Sequence, residues 1–331
     1  MSTPLPIKAL TSINGRDCMC RYYGARQDSE GPVSSGTMAN LPTSPAEEIL
    51  WRETVWAEMQ SHPLWPDLPP DFLRELKVYG GAAGIYSEMS RTRAISPNGI
   101  AISVLHTGRH YADDVDDDGI IYHYPTTNRH ASSDQSEIDS VKSAGKLGVP
   151  IFVIIQKGKS RQVRRAWVGD SDDVSRLFLL EFSAVPQSQF VIEPDRSELF
   201  VPRIARPTTT TQVMRRERSS RFKFEVLKMY GSKCVLSGLA VVEMLDGAHV
   251  IPVDKGGSDD PRNGLLLSAS LHRALDANLW AVHPKTLNIE TRAKGPSLDK
   301  MKIPISSLHG VLVLPHDEAL EFRYELFLKA S

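Results

Sequence analysis

The chain has 331 residues, of which 41% are hydrophobic and 24% are charged, and its formal net charge is −1 at pH 7. This length allows two domains, and the composition is ordinary for a soluble globular protein. Because the near-zero charge provides no global attraction to DNA, any nucleic-acid binding must come from local basic patches.

Cysteine usage and hydropathy exclude several further classes. The three cysteines, Cys18, Cys20 and Cys234, argue against a disulfide framework and suit a reducing cytosol. Cys18 and Cys20 have no second pair, which argues against a four-cysteine zinc site. The sequence has no apolar run of about 18 residues and no signal-peptide pattern, so we expect a cytoplasmic protein that is neither inserted into a membrane nor secreted.

Shifts in composition divide the chain into five segments. Residues 1–45 are rich in Ser, Thr, Pro and Gly and are predicted to be a flexible leader. Residues 46–77 are predicted to form a helical segment that packs on the next segment. Residues 78–201 are rich in strand-like runs, residues 202–220 form a basic linker, and residues 221–331 make a second domain.

The first helix is predicted to begin at Ala46, because Glu47 and Glu48 fall in its first turn, where acids suit the helix dipole. Pro63 would end it. Its predicted buried stripe consists of Ile49, Trp51, Val55 and Trp56.

Segment 78–201 combines several strand patterns with one helix pattern over residues 133–145. The predicted strands are 100–105, 119–124, 149–155 and 177–182. Many strands with one or two helices indicate a curled sheet or barrel.

Three arginines, Arg215, Arg216 and Arg218, lie near the end of the linker. A charged linker is commonly just solvated. Here it leads directly into the C-terminal segment, so contact of these arginines with DNA phosphates is the rival interpretation.

The C-terminal segment places three polar residues among apolar neighbours, with spacings of 14 and 9 residues: His249, Asn263 and His272. A strand, a turn, a second strand and a helix would bring them together. Hydrolysis of a phosphodiester needs an activated water and a metal ion that neutralises developing charge. His249 is a candidate base, since the unperturbed pKa of histidine is near neutral.

Three further residues have candidate roles beside His249. Asp246 is the nearest upstream carboxylate, and a hard magnesium ion prefers oxygen ligands. It needs a twist or bulge to join His249, because the two positions lie on opposite faces of a strand. Asn263 either orients His249 through its amide or holds the loop, and Asn-Gly is also a common turn. His272 is a candidate metal ligand, although a lone histidine is more often structural.

Residues 221–290 resemble the HNH nuclease family, with its ββα-metal fold. The resemblance rests on the three residues above, on Cys-x-x-[Ser/Thr]-Gly before them, and on Leu-His-x-x-x-Asp after them. It implies that His249 is the general base, Asn263 the middle residue and His272 the last, metal-binding residue. Ala248 stands where the family often has an acid or histidine, so Asp246 is the substitute carboxylate ligand. Cys234 lacks the flanking zinc cysteines of many relatives, so the scaffold must depend on apolar packing.

The second informative stretch runs from Tyr111 to Tyr124 and contains five aspartates in six residues. It has three interpretations: a solvated hairpin tip, a calcium loop, or a base pocket. The calcium reading matches only the first half of an EF-hand loop, because the twelfth position is Pro125 instead of Glu. In the third, Tyr111 and Tyr124 are the aromatic faces around a flipped base, and Asp114 accepts a hydrogen bond from the cytosine amino group.

Residues 78–183 resemble the SRA (YDG) domain, whose signature is Tyr, any residue, Asp-Asp-Val-Asp, then Gly and a Tyr-containing strand. The resemblance implies that Tyr111 and Tyr124 stack on a flipped 5-methylcytosine while Asp114 reads its amino edge. Tyr122 is a rival to Tyr124, since an alternating strand puts both on one face.

Together these stretches predict an α+β protein with an N-terminal SRA/PUA-like curled β-barrel and a C-terminal ββα-metal nuclease domain. The predicted function is a modification-dependent restriction endonuclease that uses Mg²⁺ or Mn²⁺ on double-stranded DNA containing modified cytosine. Because cutting both strands needs two nuclease sites, we expect a homodimer. The alternatives are a sequence-specific HNH nuclease, a non-catalytic reader with a degenerate HNH fold, and a ligand-gated effector nuclease.

Overall fold

The computed structural model describes residues 41–81, 84–108, 115–127, 131–183, 199–204 and 219–330. Its helices are α1 (Pro45–Ser61), α2 (Pro70–Glu75), α3 (Met89–Thr92), α4 (Ala131–Lys146), α5 (Ser220–Tyr230), α6 (Ala269–Asp276) and α7 (Asp317–Ala330). Its strands are β1 (Asp67–Leu68), β2 (Ile85–Ser87), β3 (Ala101–His106), β4 (Gly119–His123), β5 (Ile151–Lys157), β6 (Ser160–Asp172), β7 (Leu177–Glu181), β8 (Leu245–His249), β9 (Gly264–Ser268), β10 (Trp280–Val282) and β11 (Ile289–Thr291). No helix within these ranges combines the length and the apolar character needed to cross a membrane.

Seven strands form one mixed sheet in the order β2-β3-β5-β6-β7-β4, with β1 paired beside β6. The β3–β5 pair is parallel, and the other pairs are antiparallel. In the described ranges β2 and β4 end this path without pairing to each other. The mixed helix-and-sheet class is therefore confirmed, whereas the closed form of the predicted barrel is not seen.

Strand β5 lies inside the sheet and is buried on both faces. Ile151 and Val153 pack into the cluster that contains α4, whereas Phe152 and Ile154 pack into the cluster that contains α1. A strand with two covered faces is expected to be a continuous apolar run, which is how the sequence reads here.

Strand β6 is 13 residues long and connects the two halves of the sheet. Its first half, Ser160–Ala166, pairs with β5 and its second half, Trp167–Asp172, pairs with β7. The register shifts between Val168 and Asp170, and such irregularities increase the local twist and bend of a strand.

The buried, charged side chain of Arg52 fixes helix α1 to the sheet. Arg52 is not among the residues predicted to form the buried stripe of this helix. Arg52 Nε lies 2.9 Å from Glu48, and its Nη1 donates to the carbonyls of Ala101 and Pro150 at 2.7 and 2.5 Å. Burial lowers the pKa of Arg52 to about 10, so the guanidinium keeps its charge at neutral pH. The buried residues of α1 are Glu48, Arg52, Val55 and Met59. The predicted stripe is correct at Val55, while its other members are only partly buried: Ile49, Trp51 and Trp56.

Helix α5 packs against both the large sheet and the C-terminal hairpin. Its Phe222 and Phe224 share one apolar cluster with Leu177 and Leu179 of β7 and with residues of β8 and β9. The stretches predicted as reader and nuclease therefore share a core, within the compact unit Leu41–Ser331. The predicted boundaries between them stay a prediction.

Polar contacts reinforce the first turn of α5. Arg221 makes a two-pronged ion pair with Glu181 of β7, with both N–O distances 2.8 Å. The Ser220 amide donates to the carboxylate of Asp118, at 3.2 and 3.3 Å from its two oxygens. Asp118 immediately precedes β4, so the start of α5 is tied to two neighbouring strands of the sheet.

The C-terminal part consists of the hairpin β8–β9, helix α6, the small β10–β11 pair and helix α7. Apolar packing supports it, as the solitary cysteine led us to expect. Leu279 is only partly buried. Other large apolar side chains of this segment are buried, namely Leu265, Leu266, Leu267, Leu271, Leu275 and Trp280.

We predict that Arg52→Ala lowers the free energy of unfolding by about 3–5 kcal/mol, because it breaks a buried ion pair and removes the donor to two carbonyls. Urea denaturation followed by tryptophan fluorescence measures this loss. The matched control is Arg74→Ala, whose partner Asp71 is exposed and whose loss should cost at most about 1 kcal/mol. Equal losses in the two variants would contradict the anchoring role of Arg52.

Candidate functional site

The hairpin β8–β9 presents alternate side chains to two helices. Gly247 and His249 face α5: a Cβ at Gly247 would lie 3.1 Å from the α5 backbone, and the His249 ring stacks on Phe222 with centroids 3.7 Å apart. Asp246 contacts His272 of α6 instead. Because side chains alternate along a strand, the two histidines are held from opposite sides of the ribbon.

Asn263 immediately precedes β9 and is fully buried. Its Oδ1 accepts from the Ile251 amide at 2.8 Å, and its Nδ2 donates to the carbonyls of Ile251 and Ser258 at 3.2 and 2.9 Å. The side-chain amide therefore closes the loop that follows β8, and its contacts do not include the His249 ring. The Asn263 carbonyl also accepts from the Val250 amide at 2.8 Å, which places the start of β9 beside His249.

His249 is paired with a carboxylate that the sequence analysis missed. Its Nε2 lies 2.9 Å from Oδ1 of Asp259, and its ring is nearly parallel to that of Phe222, at 13°. The His249 side chain is 14% exposed, so the ring is largely covered but reaches the surface. Asp259 lies in the polar stretch Gly-Gly-Ser-Asp-Asp, where no local pattern signals its contact with His249.

His272 lies between two carboxylates. Its Nδ1 is 3.1 Å from Oδ2 of Asp246, and its Nε2 is 3.7 Å from Oδ2 of Asp276, one helical turn further along α6. The twist or bulge needed to join Asp246 to His249 is absent, because the β8–β9 register is regular throughout. Asp246 thus joins His272, while His249 has a carboxylate of its own.

The donor chemistry at His272 suits a hard divalent ion only in part. Within the described ranges, no group of three or more His, Cys, Asp or Glu side chains is arranged to hold a metal ion. Asp246 and His272 offer one carboxylate and one imidazole. Magnesium commonly binds through one or two carboxylates, keeps several waters and takes phosphate oxygens from its substrate, so two protein donors fit that mode.

Cys234 has a structural role. It is buried, and its Sγ accepts hydrogen bonds from the backbone amides of Ser237 and Ser268 at 3.4 and 3.3 Å. The thiol therefore joins the turn after Cys234 to the end of β9.

A second site lies in the large sheet, where a cavity of about 560 Å³ opens between the ends of β3 and β4 and the β6–β7 turn. Its size falls within the range of small-molecule sites. The walls carry both aromatic and polar groups, including His106, Tyr122, His123, Tyr124, Ser175 and Arg176. Strands β3 and β4 are separated by three others in the sheet, so the sheet curls to bring them to one cavity.

Tyr124, which the sequence predicts as one aromatic face, is held firmly at this cavity. The residue is 5% exposed, and its ring packs on that of Phe178 with centroids 4.3 Å apart. Its hydroxyl donates to Asp173 at 2.9 Å, and burial together with this bond raises the pKa of Tyr124. Lys142 also donates to Asp173 at 2.5 Å and holds the pKa of that carboxyl below its usual value. The phenol therefore stays neutral and fixed.

Tyr122, the rival to Tyr124, also lines the cavity but points its hydroxyl elsewhere. That hydroxyl donates to the carbonyls of Gly84 and Leu105 at 3.0 and 3.3 Å, and burial raises the pKa of Tyr122. Tyr122 thereby joins β4 to the β2–β3 side of the curled sheet.

The remaining predicted site residues lie outside the described residues. They are Tyr111 and Asp114 of the proposed base pocket and the linker arginines Arg215, Arg216 and Arg218.

Comparison with known proteins identifies the C-terminal segment. Residues 234–283 match a family model described as HNH endonuclease. Among solved structures, the modification-dependent TagI restriction endonuclease aligns with a TM-score of 0.32 and 15% identity, over 81% of this chain and 94% of that chain. The type IV phosphorothioation-dependent restriction endonuclease ScoMcrA aligns with a TM-score of 0.28 and 16% identity, over 81% of this chain and 60% of that chain. No curated protein matches the chain.

The matched segment contains the hairpin β8–β9, helix α6 and the residues His249, Asn263 and His272. The protein therefore carries an HNH endonuclease domain and is a DNA endonuclease. HNH endonucleases generally use a divalent metal ion.

We predict that Asn263→Ala lowers the free energy of unfolding by about 3 kcal/mol, because it leaves buried backbone groups of Ile251 and Ser258 without partners. Urea denaturation measures the loss, and hydrogen exchange at the Ile251 amide locates it. Asn288→Ala, at an exposed position, is the control and should change stability by less than about 0.5 kcal/mol. Unchanged protection of the Ile251 amide would argue against the clamp.

Proposed function

We propose that this endonuclease is modification-dependent: it flips 5-methylcytosine, or a related modified cytosine, out of duplex DNA and cuts a phosphodiester bond nearby. The observation that carries the proposal is the cavity between β3 and β4, because Tyr124 forms part of its wall within the stretch that resembles the SRA domain. A flipped base needs such a pocket, with aromatic faces and polar groups for its Watson–Crick edge.

In this proposal one pocket residue is described by the structure, and two others are inferred from the resemblance to the SRA domain. Tyr124 supplies a ring immobilised by Phe178 and Asp173. Tyr111 supplies the opposing face and Asp114 accepts from the cytosine amino group, as the SRA resemblance implies. The two tyrosines sandwich the base, and the carboxylate selects cytosine over thymine because thymine has no exocyclic amino donor.

In the nuclease part, His249 is the base. The oxygen of a water molecule bonds to phosphorus while one of its protons passes to the His249 ring. The bond from phosphorus to the leaving oxygen breaks, and solvent protonates that oxygen. Asp246 and His272 would hold a magnesium or manganese ion, which supplies charge neutralisation at the phosphate when bound. Asn263 keeps the loop in place around His249.

DNA contact and assembly complete the proposal. Arg215, Arg216 and Arg218 contact backbone phosphates on the approach to α5, which compensates for the absence of a global positive charge. A homodimer supplies one HNH site for each strand of the duplex.

We predict that His249→Ala slows cleavage of a methylated plasmid in magnesium by about 10²- to 10⁴-fold, the usual contribution of a general base. Gel analysis of nicked and linear products gives the rate. His309→Ala removes an exposed histidine outside the HNH segment and should leave the rate unchanged. If His249→Ala cuts as fast as the wild type, the catalytic assignment is wrong.

We predict that Tyr111→Ala weakens binding to a methylated oligonucleotide duplex by about 10- to 100-fold, the effect of losing one stacking ring, without changing binding to the plain duplex. Fluorescence anisotropy measures both affinities. His249→Ala serves as the reciprocal control, because it should keep the preference for methylated DNA while losing cleavage. Equal binding and cutting of both duplexes by the wild type would favour a sequence-specific nuclease that reads unmodified bases.

A further inference from the structure

The pairing of His249 with Asp259 has a consequence for the chemistry of the histidine. An imidazole that acts as a base needs one ring nitrogen with a free lone pair, and the hydrogen bond at the other nitrogen decides which one that is. Here the carboxylate lies 2.9 Å from Nε2, and Nδ1 has no hydrogen-bond partner among the described residues.

We propose that Asp259 is a positioning residue for His249: it accepts the Nε2–H and leaves the Nδ1 lone pair to take the proton from water. This inference rests on the proposed role of His249 as base. When Nδ1 receives the proton, the ring becomes an imidazolium next to an ionised carboxylate, which stabilises the positive charge formed in that step. Asp259 itself keeps its charge and transfers no proton.

The ring has little freedom to leave this arrangement. Phe222 covers one face at a centroid distance of 3.7 Å and an interplanar angle of 13°. Phe222 is itself buried in α5, and Gly247 lets the α5 backbone approach β8 closely. Stacking fixes the plane of the ring, and the carboxylate fixes its rotation within that plane.

The backbone position of Asp259 is fixed by the residues before and after it in the chain. The preceding residue, Ser258, is buried, donates its amide to the Pro202 carbonyl at 3.3 Å and receives the Asn263 amide at its own carbonyl. The following residue, Asp260, caps the short helical turn at Pro261–Asn263 by accepting from the Arg262 amide at 2.8 Å. Asp259 is therefore held between two anchored residues, although its own side chain is 40% exposed.

This arrangement distinguishes the role of Asp259 from that of Asp246. Asp246 lies on the α6 side of the hairpin and contacts His272, the proposed metal ligand. Asp259 contacts His249, on the α5 side. The site thus contains two separate histidine–carboxylate pairs, one suited to binding an ion and one suited to taking a proton.

The test uses the full chain and compares Asp259→Ala, Asp259→Asn, His249→Ala and the double variant of Ala at both positions. The readouts are the single-turnover cleavage rate at saturating methylated duplex, the dissociation constant for that duplex, and the magnesium concentration that gives half the maximal rate. Asp254→Ala, which removes an exposed carboxylate from the same loop, is the matched control and should keep the wild-type rate.

Asp259→Ala should slow single-turnover cleavage on the order of 10- to 100-fold, as loss of a partner that orients a functional histidine does, with DNA affinity unchanged. Asp259→Asn should be intermediate, because its amide oxygen still accepts the Nε2–H but carries no charge. The double variant should be no slower than His249→Ala alone, since a residue that acts through His249 has no effect once that ring is gone.

Several outcomes would overturn the proposal while leaving the proposed function intact. One is a wild-type rate for Asp259→Ala beside an inactive His249→Ala. Another is a double variant slower than His249→Ala by the full Asp259 effect. A third is a rise in the magnesium requirement of Asp259→Ala, which would make Asp259 a metal ligand. An active His249→Ala would instead overturn the proposed function itself.

Discussion

The packing of α5 between the large sheet and the β8–β9 hairpin is the constraint on which the rest of the structure depends. On the side of the sheet Arg221 forms an ion pair with Glu181 of β7, and on the side of the hairpin the ring of Phe222 stacks on that of His249. Glycine is needed where this helix touches the hairpin, because a Cβ at Gly264 would lie 2.5 Å from a methyl of Val226. A larger residue there would push the helix away from both partners, so the geometry of the candidate base depends on how tightly α5 packs.

The packing of α5 also connects the two candidate sites, the cavity at Tyr124 and the HNH segment at His249. Asp118, at the end of the acidic stretch and just before β4, accepts the Ser220 amide, and Phe222 is two residues further along the same helix. Strand β4 in turn leads to the cavity at Tyr124. The sheet and the HNH segment are thus not independent bodies joined by a linker alone, because the first turn of α5 contacts both.

The sequence predicted strands and helices correctly where a run of residues is continuously buried. It did not predict features that depend on long side chains or on contacts between residues far apart in the chain. Apolar runs predicted strands at β3, β4, β5 and β7, and the helix over residues 133–145 is α4. Strand β6 was missed because its arginines break the apolar pattern, although sheet pairing still places Val163 and Ala166 in the core. The pairing of Arg52 with carbonyls about 50 and 100 residues away has no local signal, and neither has that of His249 with Asp259.

The departure at Ala248 from the HNH pattern can be explained by the same alternation that separates the two histidines. Ala248 is fully buried on the α6 side of the hairpin, where a charged ligand would have to be desolvated inside the apolar cluster. Asp246, which we propose as the substitute carboxylate, lies two residues earlier on that face, near the partly exposed start of the strand and beside His272. A carboxylate one or three residues away from position 248 would instead face α5. On that side Gly247 lies close to the helix backbone and the His249 ring stacks on Phe222. The period of the strand therefore restricts where a substitute carboxylate for Ala248 can stand, and Asp246 satisfies that restriction.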